Sequence, residues 1–523
     1  MASKKQKPLA KDTEHSILSR LTFGSEATSR VEIGRLGLTA WLAQQLRPDE
    51  TLDGECQTRL KNLKLRIRYP ESKDWAAVDE MRPLHWLGAN IEELSRLNEP
   101  GRQIAHAEKT RPRVEVAAAT LMRAVYSRWQ LREVLADFWH NHFNVNGWDV
   151  PIGLALPVYD REVIRFHAFG NFREMLEAVA QSPAMLWYLN NRSSRAGAPN
   201  ENYARELFEL HTLGRDAYLN GIYNRWKDVP GAKKGQPAGY IDQDVYEAAR
   251  AFTGWGVEDG SGLGGGQSLS RSGRFIYVDA WHDQYQKRVL ATEFEPYQSA
   301  LSDGRKVLDL AAFHPATARH LAKKLCIRLL CDEPPPALID SAAKVWYEHR
   351  FKPDQIARTI EHIVLAKAFA SEPNAKLKRP LELVASFVRA SELPFVPTEG
   401  LLGEMETAGQ RLFGWTTPTG HPDQALFWSG ANTMRRRWTL IAGLVENWWG
   451  NGVLDPLHPF GSKSTMPENF ARVWLERLYG RTAPAIAGIL IEGAKAGGQP
   501  SLRPVQARQM LAWAAMAPAF QLR

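Results

Sequence analysis

The sequence predicts a mainly α-helical protein with one large core, in one lobe or two, and a minor β-hairpin. Three observations carry this. Apolar residues recur at helical spacing through most of the 523 residues. Proline stands at first-turn positions, as at Pro315, Pro353 and Pro380, where its missing N–H costs nothing. Strand-like alternation is rare. No internal repeat divides the chain. Residues 1–15 read as a disordered tail, and 16–523 as one helical domain with loop excursions at 220–240 and 256–273.

The first periodic segment, 37–46, puts Leu38, Trp41, Leu42 and Leu46 on one face. Segment 114–139, rich in Ala, Leu and Arg, reads as one long helix or two. Segment 161–179 continues the pattern. Segment 200–213 ends before Gly214, which takes the C-cap position. Helices are then expected at 242–252, 315–331, 336–347, 353–368, 378–391, 433–449, 468–478 and 505–517, the last stopped by Pro518. Asp242 or Asp244 is expected to cap its helix, because an Asp oxygen accepts free first-turn amides. The strand signal is Arg274 to Val278, after a glycine-rich loop that lacks the strand–glycine–helix order of a nucleotide site. Long loops in compact proteins are often functional.

Composition is that of an ordinary globular protein, 44% apolar and 24% charged. Eighteen tryptophans are many; beyond the core, they suit stacking on sugar rings or bases. The net charge is +8, but the basic residues are scattered, so nucleic-acid binding is only weakly indicated, and anionic polymers or simply a solvated basic surface account for the charge at least as well. Cys56, Cys326 and Cys331 form no CxxC pair and read as three buried thiols. The basic N-terminus is not followed by an apolar run, so no signal peptide is read. No stretch is long and apolar enough for a membrane helix. The expected location is therefore cytoplasmic, or exported should a leader have been removed.

Chemistry concentrates in Phe138-Trp-His-Asn-His-Phe-Asn144. Polar groups among bulky apolar ones satisfy one another or hold something, because burying them unpaired is costly. On a helix, Glu133, Asp137, His140 and Asn144 form one stripe. His140 and His142 lie about 200° apart, so they share an ion only if the helix stops near His140. In 200–214, Asn202, Arg205, Glu206 and Glu209 cluster on one side, with His211 rotated towards Leu207 and Phe208. Trp281-His282-Asp283 supplies a further His beside an Asp. The loop from Trp415 to Asp423 offers an aromatic wall. No P-loop, GxSxG elbow, HExxH or cysteine-based metal motif occurs.

Together these stretches resemble a bacterial family catalogued as domain of unknown function 1800 (DUF1800). The resemblance starts at 18–24 and 37–46 and takes in 138–145, 200–214, 244–255 and 281–283. It continues through 314–319, 324–326, 378–382, 409–410 and 415–423, and ends at Arg435, so it covers nearly the whole chain. It implies one fold for all these motifs, frequent export, and a sulfatase-like protein partner. This chain departs in having no leader, and in Ile241 where a Thr or Ser cap is usual.

The resulting expectation is an enzyme doing hydrolysis or group transfer on a carbohydrate or other anionic polymer, with or without one divalent metal ion. Asp137, Glu206 and Glu209 are the candidate catalytic carboxylates, and His140, His142, His211 and His282 the candidate metal ligands. Asn141, Asn144, Asn202, Arg205, Trp255, Asp283 and Trp415 are the candidate ligand contacts. A base acting on bound water is the chemistry such a set supports. The alternatives are a non-catalytic binding or assembly protein, whose motifs form a structural hydrogen-bond network, and metal-free glycan chemistry by a carboxylate pair.

Overall fold

Segment 114–139 divides into two helices, His106–Tyr126 and Gln130–His142, and the sequence shows why. Ser127 leaves the helical conformation, and the buried Asp53 holds the break by accepting from Ser127 Oγ (2.8 Å) and the Arg128 N–H (2.7 Å). This computed structural model describes residues 11–371, 376–495 and 501–523. Helix accounts for 58% of the described residues. Strands among the described residues form only two-stranded antiparallel sheets. One contiguous apolar cluster runs from Ile17 to Phe520 and includes Trp139, Trp255 and Trp346. No described helix is long and apolar enough to cross a membrane.

The helix Lys11–Leu21 begins inside the expected tail, while residues 1–10 lie outside the described residues. Pro315 and Pro380 take first helical positions as expected. Pro353 does not: its helix starts at Gln355, after Asp354. Segment 161–179 is not continuous. Its first part belongs to Tyr159–Arg165, a π-helix continuing Val150–Val158, and Asn171 then starts a new helix, Phe172–Gln181. The Asn171 side chain accepts the N–H groups of Arg173 (2.9 Å) and Glu174 (3.4 Å), the usual way an Asn opens a helix.

The strand Phe275–Tyr277 pairs with Trp255–Val257, so the 256–273 excursion is the connection of a hairpin. A second hairpin, Lys64–Tyr69 with Val78–Pro83, escapes a search for helical spacing. Leu65 and Ile67 face inward there while Lys64, Arg66 and Arg68 face water. The 220–240 excursion is closed at its base by the Leu219 N–H donating to the Tyr240 carbonyl (2.9 Å) and the Tyr240 N–H to that of Ala217 (3.0 Å). Asp244 serves the start of its helix by accepting the Ile241 N–H (3.0 Å), and it also accepts the Leu290 N–H (2.7 Å). All three cysteines are buried.

Candidate functional site

The helix Gln130–His142 stays regular to its last residue. His140 and His142 therefore diverge, as the helical spacing requires. Glu133, Asp137, His140, Asn141 and Asn144 all line one small cavity, together with Asp160, Arg165, Arg379, Gln410 and His421. The centre of a water molecule can move through about 40 Å³ of it. One water needs roughly 10–15 Å³ on that measure, so the space holds a few waters and no sugar ring.

Asn141 and Asn144 fasten this helix end to the loop after Gln410. Asn144 Nδ2 donates to the carbonyls of Trp415 (3.0 Å) and Thr417 (2.9 Å). Asn141 Nδ2 donates to the His421 carbonyl (2.8 Å), and its Oδ1 accepts the His421 N–H (2.7 Å). Tyr188 Oη donates to the Thr416 carbonyl (2.9 Å), and the Gly147 N–H to that of Phe413 (2.8 Å). Phe413 is held at φ +56°, a conformation bulky residues rarely take, with its ring edge-on to His140 at 4.8 Å. The Trp415 ring, half-buried, lies 4.6 Å from that of His421. Both asparagines thus bind loop backbone.

The carboxylates of the stripe are held by arginines. Glu133 accepts both terminal nitrogens of Arg165 at 2.7 Å each, the bidentate geometry that makes such pairs strong. Asp137 accepts from Arg328 (3.1 Å) and from Arg379. Glu382 lies beyond these two arginines. It accepts from Arg328 and from the Arg379 N–H (2.8 Å), and forms an ion pair with Arg523 (2.9 Å). His140 Nε2 meets Asp160 Oδ1 at 2.9 Å, and Arg123 Nη1 reaches the other oxygen at 3.3 Å. Burial pushes the Asp160 carboxyl up, but the His140 hydrogen bond and the charges of Arg165 and Arg123 outweigh it and hold it below the ordinary range. A carboxylate takes the imidazole N–H, which leaves Nδ1 of neutral His140 as the free base.

The second motif changes form within itself. Glu201–Glu206 is α-helical and Leu207–His211 is π-helical. Carbonyls at a helix end need outside donors, and imidazoles supply them. His320 Nε2 meets the Leu210 carbonyl (3.2 Å) and His142 Nε2 that of His211 (3.1 Å). A carbonyl only accepts, so both Nε2 atoms carry the proton. His142 Nδ1 then accepts from Lys324 Nζ at 2.8 Å. The His142 and His211 rings are 6.1 Å apart, and burial, followed by Lys324 and His320, holds His211 down at about 3. Glu209 pairs with Arg215 (2.6 Å) and Arg205 with Glu201 (3.2 Å). Glu206 is half-buried, and burial with Glu209 beside it raises its carboxyl. Asn202 is exposed.

The third motif lies elsewhere. His282 meets the Thr253 carbonyl through Nδ1 (2.8 Å) and Asp303 through Nε2 (3.3 Å). Asp283 takes Arg250 in two bonds of 2.8 and 3.0 Å. Trp255 is core, packed against Gly304. The four candidate histidines thus do not converge: His140 and His282 each meet a carboxylate of their own, His142 meets a backbone carbonyl and Lys324, and neither ring nitrogen of His211 has a hydrogen-bond partner. Among the described residues no group of three or more His, Cys, Asp or Glu side chains is arranged to hold a metal ion. Sequence reading missed Asp160, Arg165, Arg379 and His421 at the cavity, and Lys324 and His320 beside His142. The segments that carry the family resemblance contain Arg379, His421 and Lys324, and His320 and Lys324 share an i, i+4 spacing.

The family model described as "Protein of unknown function (DUF1800)" matches residues 16–522. Comparison with curated proteins and with solved structures gives no match. The match spans all three motifs, the 411–421 loop and the arginines that bind them. The chain therefore belongs to the DUF1800 family.

Proposed function

We propose that this chain is a non-catalytic binding or assembly protein, with the 133–144 motif as the network that fixes its frame. One observation carries the reading: the polar groups of that motif are engaged by the protein itself. Asp137 faces two guanidinium groups, Glu133 a third, and Asn141 and Asn144 bind loop backbone. Burial raises the Glu133 carboxyl, but Arg165 and Arg132 outweigh it and hold it below the ordinary range, which makes it a poor proton acceptor. The adjoining cavity admits a few waters and no polymer.

A second reading keeps part of the enzyme expectation. His140, oriented by Asp160, lines that cavity and suits a base acting on water. In this reading only a small ester or sulfate group of a substrate enters, and the carbohydrate chain stays outside.

Chromogenic acetyl, sulfate, phosphate and glycoside substrates separate the two. The network reading expects no turnover above the uncatalysed rate by the wild type. His140→Gln then shifts only the unfolding midpoint. Turnover by the wild type, lost in a His140→Gln protein that unfolds at the normal temperature, would replace the network reading with the hydrolytic one.

A further inference from the structure

His142, His211, His320 and Lys324 make a second constellation, and the network reading uses neither Lys324 nor His320. Four basic side chains meet where the helix Pro315–Leu329 crosses the end of the π-helical segment. The His142 ring lies 6.1 Å from that of His211 and 6.3 Å from that of His320. No ion pair joins Lys324 to a carboxylate among the described residues. Asp423, the acid whose field reaches it, is engaged with Lys376 at 3.5 Å. Several buried arginines do have carboxylate partners, as at Glu133 and Glu382.

The hydrogen-bond inventory points the same way. Lys324 has three N–H donors, and one of them meets an imidazole nitrogen. His211 is fully buried with neither ring nitrogen partnered, although a neutral imidazole always carries one N–H. His142 and His320 are fixed by backbone carbonyls and cannot turn to help. The unmet needs are donors and a positive charge. A divalent metal would be repelled by Lys324, whereas an anion oxygen answers both. Lys324 and His320 are half-buried while His142 and His211 are buried, so an anion would enter from the Lys324 and His320 side.

We propose that Lys324 and His211, with His142 and His320 behind them, form a binding site for a small oxyanion, either a free ion or the charged head of a larger ligand. Burial leaves the Lys324 ammonium lowered only to about 8, so it is a cation at neutral pH, as the site requires.

Inorganic sulfate, methyl sulfate and acetate are the probes, each titrated against the full-length protein by calorimetry at neutral pH and constant ionic strength, with chloride as the reference. The site predicts saturable binding of about one anion per chain for at least one probe. Lys324→Met, which keeps the stem and removes the charge, weakens it by tenfold or more, on the order expected for losing a buried charge partner. His140→Gln leaves the binding unchanged, which separates this site from the cavity beside Asp160. Methyl sulfate binding as well as sulfate assigns the site to a group on a larger ligand, and binding of inorganic sulfate alone assigns it to a free ion. Thermal unfolding of Lys324→Met checks that it folds. Absence of saturable binding to wild type, or equal binding by a folded Lys324→Met, overturns the proposal.

Discussion

Glu382→Gln is expected to lower folding stability by about 3–5 kcal/mol, the cost of breaking a buried ion pair from one side. Arg328, Arg523 and Arg379 all converge on this carboxylate, whose side chain is 6% exposed. The amide keeps the shape but points an NH₂ group at guanidinium donors. The effect has a pH signature. Burial raises the Glu382 carboxyl, yet Arg523, Arg328 and Arg379 outweigh it and hold it well below the usual 4.5. A depressed carboxylate stabilises the fold above its unfolded pKa and loses that contribution as pH falls through its folded value. Wild type should therefore weaken steadily below about pH 4.5, and Glu382→Gln should weaken less over that range. Denaturant unfolding at pH 7 and pH 4 measures both differences.

Gly420→Ala is expected to cost about 2–4 kcal/mol, from backbone strain and overpacking together. Gly420 sits at φ +70°, and a Cβ there would lie 2.2 Å from the Asn141 carbonyl oxygen. The clash is with backbone, so no side chain can swing aside. The loop must lift, and the paired bonds between Asn141 and His421 then stretch. A crystal structure of the variant should show 415–421 displaced while Gln130–His142 stays in place. A variant of normal stability would mean that the loop is held more loosely than its hydrogen bonds imply.

Much of this was legible in the sequence because it is local. Helical spacing placed about half of the described helices and passed over others, among them Ala27–Leu36, Ser302–Ala312 and Pro484–Lys495. It also placed Glu133, Asp137 and His140 on one stripe, and that stripe lines the cavity. The same geometry separated His140 from His142. What the sequence hid is distant or irregular. Arg328 and Arg379 reach Asp137 from 191 and 242 residues away, and no local pattern encodes that pairing. The two π-helical segments, Tyr159–Arg165 and Leu207–His211, shift the period by part of a turn. Asp160 lies in the first of them, one residue before the expected 161–179 helix. Asn141 and Asn144 resemble ligand contacts in sequence because an Asn that binds loop backbone and one that binds a substrate look alike until the fold supplies the partner. The hairpin Lys64–Tyr69 with Val78–Pro83 was readable from its alternation and was passed over among helices.

The central claim is that the 133–144 motif is a structural network. Equilibrium denaturant unfolding of the double variant Asn141→Ala, Asn144→Ala tests it most directly. The three carbonyls and one N–H left without these partners predict a loss of about 3–5 kcal/mol, at about 1–3 kcal/mol for each buried group and less where water reaches it. The His421 amide is predicted to lose its protection from hydrogen exchange in the same variant. A double variant that unfolds at the wild-type denaturant concentration and keeps that amide protected would contradict the claim.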